Sequence, residues 1–263
     1  MEILGYFLAI IMGFTLGLFG GGGSILTVPI LVYVFALSPV ISAAYSLFVV
    51  GSTAVIGAWK KNQEGLVNWK DGILFAAPSL LTVYITRRFV VSAIPNELIQ
   101  AANFSLSKDT ALLLFFGIVM LVASFSMIKG RPLIDEEKEK KFNLPLIILT
   151  GMAVGLIAGL VGAGGGFLIV PALALLIRLP IKRAIGTSLM IIAINSLVGF
   201  LGDIGSGQHI DWLFLLIFTL FSILGMFLGI YATRFVEAQK LKRGFGWFVL
   251  VMAVVILIVE ATK

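Results

Sequence analysis

The sequence contains no cysteine and a single histidine, His209. The first absence excludes disulfides, thiolate metal sites and cysteine nucleophiles. The second leaves no histidine cluster, and no metal or cofactor is expected. Charge is scarce as well: 12% of the 263 residues are Asp, Glu, Lys or Arg, against about 25% in an ordinary soluble chain. Apolar residues take their place, at 60% of the chain with a mean hydropathy of +1.11. A soluble protein this apolar could not cover its surface, whereas a lipid-facing one need not. The net charge of +6 would suggest nucleic acid in a soluble protein. Here the Lys and Arg residues lie in short loops between apolar runs, where they orient a chain in a bilayer. The partner implied is the lipid bilayer, with no nucleic acid.

A spanning helix needs roughly 20 apolar residues. Segments of about that kind run from Ile3 to Gly20, Ser42 to Ala58, Gly72 to Thr86, Ala111 to Ile128, Leu144 to Gly162, Ala184 to Gly202, Trp212 to Thr233 and Phe245 to Val259. The first lacks the basic leading region of a signal peptide and is expected to stay as a membrane helix. Two shorter stretches, Ser24 to Leu37 and Gly166 to Ile177, each follow a glycine cluster and read as half-helices or re-entrant segments. The expected fold is all-α and polytopic. The one strongly hydrophilic run, Lys129 to Lys141, reads as a solvated connector.

An internal repeat runs through this pattern. Residues 17–29 (GLFGGGGSILTVP) and 159–171 (GLVGAGGGFLIVP) agree at 8 of 13 positions with a constant offset of 142. The same offset pairs Ser46 with Ser188, Leu47 with Leu189 and Gly57 with Gly199; later, Arg88 matches Arg234 after a small insertion. The expected division is a first repeat at 1–128, a connector at 129–143 and a second repeat at 144–263. If each half is a broken-helix hairpin followed by three crossings, the halves are inverted and both termini lie outside. Fifteen of the 19 basic residues then fall in cytoplasmic loops. Parallel halves of four crossings split them 10 to 9, so positive charge favours inversion in an inner (plasma) membrane.

The glycines carry the first functional expectation. Broken helices within inverted repeats are a recurring plan for transporter sites. Gly20, Gly21, Gly22 and Gly23, with Ser24 after them, and Gly162, Gly164, Gly165 and Gly166 let the chain reverse at membrane depth and bring peptide N–H groups toward an anion. Pro29 and Pro171, about two turns on, should kink or shorten the segments. Gly13/Gly17, Gly151/Gly155/Gly159 and Gly225/Gly229 read instead as helix-packing contacts. The second expectation is a polar stripe on the next helix. Ser188, Asn195, Gly199 and Gly202 share one face, echoed by Ser46, Thr53 and Gly57, with Thr187 and Ser196 alongside. These residues could bind an oxyanion, or could equally satisfy their own backbone.

No apolar segment has Asp or Glu in its middle. Asp203, just past the end of a span, and His209 read as loop residues rather than a proton relay. Arg88 and Arg234 read as interfacial anchors. Without an acid, base or nucleophile set, an enzyme is not expected.

At its two glycine-proline motifs the chain resembles the TauE/SafE sulfite-exporter family. The match is carried by Gly162-Ala163-Gly164-Gly165-Gly166, Val170-Pro171-Ala172-Leu173 and Ala184-Ile185-Gly186-Thr187-Ser188-Leu189, with related patterns at Gly20 to Pro29 and Ala44 to Leu47. The resemblance implies a multi-pass permease for sulfite or related sulfur-containing anions. Ser24 stands where the second half has Gly166, and Tyr45-Ser46 where it has Thr187-Ser188, so any shared site should be asymmetric. A carrier for another small solute and a non-transporting assembly subunit remain alternatives, and monomer and homodimer are both open.

Overall fold

The computed structural model describes residues 2–95, 97–101, 104–129, 144–161, 165–177, 179–204 and 210–261. In chain order these form α1 (Glu2–Phe19), α2 (Gly23–Pro29), α3 (Pro39–Gln63), α4 (Trp69–Ile85), α5 (Val91–Ala93), strands β1 (Glu97–Ala101) and β2 (Phe104–Ser107), and α6 (Lys108–Lys129). After the connector come α7 (Leu144–Val161), α8 (Gly166–Pro171), α9 (Ile181–Ile204), α10 (Trp212–Ala232) and α11 (Ala238–Ala261). The architecture is the expected helical, polytopic one. It carries one small addition, the antiparallel β1–β2 hairpin between α5 and α6. Among the described residues, six helices are long and apolar enough to cross a membrane: Pro39–Gln63, Trp69–Ala93, Lys108–Phe125, Leu144–Val161, Ile181–Ile204 and Trp212–Ala232.

Local signals explain the boundaries. Helix α3 starts three residues before its apolar run because Ser38 caps it, accepting from the Ile41 amide, and Pro39 follows at the first helical position. Asn68 and Asp211 cap α4 and α10 in the same way. Gly65, at φ +68°, supplies the left-handed residue just past α3. The two prolines act as expected and alike. Each ends the α-helical part of its short segment, and the chain goes on as a wide turn at Ile30–Val34 and Ala172–Leu176. Proline has no N–H and its ring crowds the preceding turn, which favours the wider spacing. Even the hydrogen bonds repeat at the offset of 142: Leu37 N to Leu31 O at 3.1 Å, and Leu179 N to Leu173 O at 3.0 Å.

Small and polar side chains collect on the buried helix faces, beside large ones such as Phe218 and Met226. On α10, Leu213, Leu216, Leu220 and Leu224 are exposed, while Thr219, Ser222, Gly225 and Gly229 are buried. That is the polarity of a helix packed among helices in lipid, where close backbone approach replaces hydrophobic drive. The glycine triplets perform the packing assigned to them. A Cβ at Gly13, Gly17, Gly225 or Gly229 would collide with backbone across the α1–α10 seam, and one at Gly151, Gly155 or Gly159 would meet α4 or the turn after it. These two seams correspond: α1 lies on α10 as α7 lies on α4, and α3 and α9 cross each other at the centre. In α9 78% and in α3 67% of the apolar window is buried, against 33–44% in the other four spans.

Candidate functional site

Helices α3 and α9 pack antiparallel. A Cβ on Gly51 would lie 3.0 Å from Leu197, one on Gly57 3.2 Å from Leu189, and one on Gly199 3.2 Å from Leu47. This register places Thr53 and Asn195, which are counterparts at the offset of 142, in the middle turns of the crossing. Both are fully buried, as are Ser46, Thr187, Ser188 and Ser196.

The short segments come to the same region. Gly20, at φ +71°, turns the chain after α1, and the segment runs back until Phe35 lies over Gly5. The second reversal uses Gly165, at φ +68°, whose counterpart is Gly23 rather than Gly20. Gly23 has no such positive φ, so the two segments differ at this position. Their tips meet: a Cβ at Gly166 would lie 2.9 Å from the Gly21 Cα. Gly20, Gly21, Gly22, Gly23, Ser24, Gly165 and Gly166 are all buried. Gly162 and Gly164, like His209 and nearly all of the connector, lie outside the described residues.

Hydrogen bonding sorts the polar candidates into two groups. Thr187 and Ser188 are occupied with structure. The Thr187 hydroxyl accepts from the Asn68 amide at 2.9 Å, holding the α3–α4 loop against α9. Ser188 Oγ donates to the carbonyls of Gly20 and Ile185, each at 2.8 Å, fastening the first glycine turn to α9. Ser24 Oγ likewise donates to Gly21 O at 2.8 Å. In contrast, Ser46 Oγ, Thr53 Oγ1, Ser196 Oγ and Asn195 Oδ1 are buried without a hydrogen-bond partner. Asn195 is held by its other atom, with Nδ2 donating to Ser79 Oγ at 2.6 Å. A buried polar atom with no partner costs about 1–3 kcal/mol, and native interiors hold few of them. Four on two facing helices form a polar interior with spare capacity.

Asp203 corrects the sequence reading. It belongs to α9, is buried, and forms a pair with Arg87, which lies in the wide turn Thr86–Val90 and is 2% exposed. Arg87 Nη2 donates to Asp203 Oδ2 at 2.6 Å, and Nε approaches both carboxylate oxygens at 3.0–3.1 Å. Tertiary burial extends the helix past its apolar run, because the charge it carries is neutralised in place. The repeat-matched pair Arg88 and Arg234 is exposed, so the buried guanidinium belongs to the neighbouring residue. Lys61 was also missed as a buried group. Its ammonium donates to Glu64 at 2.8 Å and to Thr233 at 3.2 Å. One signal was available: the offset of 142 pairs Lys61 with Asp203. Ser79, Thr86 and Thr219, also buried, carried no comparable pattern.

No grouping of three or more His, Asp or Glu side chains that could hold a metal occurs among the described residues. What the geometry offers is a neutral hydrogen-bonding interior at mid-bundle, flanked at each end by a buried charge.

Comparison with known proteins agrees with a membrane-transport role. The family model described as "Sulfite exporter TauE/SafE" matches residues 6–256. A probable membrane transporter protein of Xylella fastidiosa is 31% identical over 259 residues, covering 94% of this chain and 91% of the relative. One from Methanocaldococcus jannaschii is 30% identical over 74% of this chain and 70% of the relative, and one from Bacillus subtilis 28% identical over 80% of each. No solved structure matches significantly. With the family match running through both glycine hairpins and all six long helices, the chain belongs to the TauE/SafE family of membrane transporters.

Proposed function

We propose that the protein exports a small sulfur-containing anion, sulfite or a related oxyanion or organosulfonate, by alternating access between two inverted repeats in the inner membrane. The observation that carries this reading is the set of unpartnered buried oxygens at Ser46, Thr53, Asn195 and Ser196 on the crossing helices. A hydroxyl that lacks a protein acceptor can donate to a passing oxyanion, and the Asn195 amide adds donors once it turns from Ser79. The meeting glycine tips at Gly21 and Gly166 allow the backbone to approach within the same layer. Ser188, Thr187 and Ser24 hold the tips and the adjoining loop in place, and Gly20, Gly22, Gly23 and Gly165 belong to the same turns. The inverted arrangement is supported by the exchange of equivalent seams, α1 on α10 and α7 on α4. The Lys61 end, which carries most of the basic loops, is the cytoplasmic one by the same charge argument.

An inside-negative potential drives each negative charge outward with about 2.3 kcal/mol per 100 mV, so export needs no buried proton relay. The test is efflux from proteoliposomes holding only this protein, loaded with sulfite and, in parallel, thiosulfate, sulfate and a small organosulfonate. Sulfite efflux should rise with outward electrical drive and fall at least about tenfold in Asn195→Leu, as expected for one lost charge-assisted contact. Correctly inserted protein that moves none of the four anions would overturn the sulfur-anion reading. Unaltered efflux in Asn195→Leu would overturn the site.

A further inference from the structure

A cavity of about 90 Å³ opens at the Lys61 end, lined by Lys61, Glu64, Lys182, Ile185, Thr233 and Arg234. Its volume is that of about three liquid waters, room for one compact oxyanion. Three cations and one carboxylate line it, an excess of two positive charges. Lys182 and Arg234 are exposed at the rim, whereas Lys61 is buried with its side chain 4% exposed. An ammonium has three donors. Glu64 and Thr233 take two of those on Lys61, which leaves one for an occupant of the cavity. Glu64 is shared, since Arg234 also stands 3.8 Å from its other oxygen, and one carboxylate cannot neutralise both.

The place of this cavity in the fold argues against an accidental surface dimple. At the repeat offsets, Lys182 corresponds to Val40, Ile185 to Ala43 and Thr233 to Arg87. Val40, Ala43 and Arg87 line a recess of about 10 Å³ at the opposite end of the bundle. There Arg87 is held by Asp203, the counterpart of Lys61. The two recesses therefore use equivalent positions on α3 and α9, one of about 90 Å³ lined by three cations, the other of about 10 Å³ lined by one. Ile185 forms the inner wall of the larger one, and a Cβ on Gly20 would stand 2.7 Å from the Ile185 Cγ2. The Ile185 side chain thus touches both the cavity and the first glycine turn.

We propose that this cavity is an anion-binding vestibule, in which Lys61, Lys182 and Arg234 capture a small oxyanion before it passes Ile185 toward the mid-bundle site. Its place on a transport path rests on the reading above, but binding to it does not.

The test is sulfite binding to purified protein, followed by thermal shift with chloride holding ionic strength constant, beside sulfite flux in proteoliposomes. In Lys182→Gln/Arg234→Gln, which changes two exposed side chains and spares the core, the half-saturating sulfite concentration should rise about tenfold in both assays. Glu64→Gln should lower it, by removing the competing carboxylate. The opposite signs separate a binding role from general damage to the fold. If both variants saturate like the parent, the vestibule is overturned, and continued sulfite flux would leave the transport reading standing. If binding responds as expected while no anion is moved, the vestibule stands and the transport reading falls.

Discussion

The two ends of the bundle are built on equivalent positions with opposite charges. At one end Asp203, near the close of α9, accepts from both the Nε and Nη2 atoms of Arg87. At the other Lys61, near the close of α3, donates to Glu64 and Thr233 and leaves a cavity beside it. A guanidinium fork matches a carboxylate along two edges and closes the space between α4 and α9. An ammonium is a point charge on a flexible stem and cannot fill a recess in that way. Equivalent positions thus carry a recess of about 10 Å³ beside the Arg87–Asp203 pair and a cavity of about 90 Å³ beside Lys61.

The difference can be broken from either end. The largest effect is expected for Arg87→Gln or Asp203→Leu. Each strands a buried charge or its partner, at a cost of about 3–5 kcal/mol, while replacing both residues with leucine should restore most of the loss. Melting temperatures of the single and double variants in detergent would check this; a double variant no better than the singles would show that the pair does not act as a unit. Lys61→Gln should cost less, about 1–3 kcal/mol, because its surroundings admit water and Glu64 can turn outward. Equal losses from Lys61→Gln and Arg87→Gln would erase the distinction between the ends. The smallest effect concerns Ala36, which sits at φ +54° where the first short segment turns into α3. Ala36→Gly should raise stability by up to about 1 kcal/mol, the left-handed strain relieved being partly offset by glycine's entropy. A fall in melting temperature would mean that the methyl group packs more usefully than the strain costs.

Much of this molecule was legible as sequence. Eight long apolar runs, two short ones, the glycine clusters and the prolines named the elements and their order, because a lipid environment demands long apolar runs and punishes irregular backbone. The candidates Ser46, Thr53 and Asn195 were found by helical spacing, with Ser196 beside the stripe, and all four are buried on α3 and α9. Spacing could not reveal that Ser188 is committed to Gly20, or Thr187 to Asn68. Those bonds join residues 168 and 119 positions apart, and no local pattern encodes such a partner. The same limit explains Asp203. A charged residue at the edge of an apolar run reads as loop unless its counter-ion is known, and Arg87 lies 116 residues away.

The sequence by itself determined that this chain lives in a membrane, that its glycine-proline motif recurs at an offset of 142, and where its helices break, since hydropathy, motif spacing and the conformational limits of glycine and proline are all local properties. The tertiary structure decided which polar groups stay unpartnered, which charges are buried, and that the cavity beside Lys61 is larger than the recess at the equivalent positions by Arg87. Burial and pairing depend on which helices meet, and that is settled only when distant segments pack together.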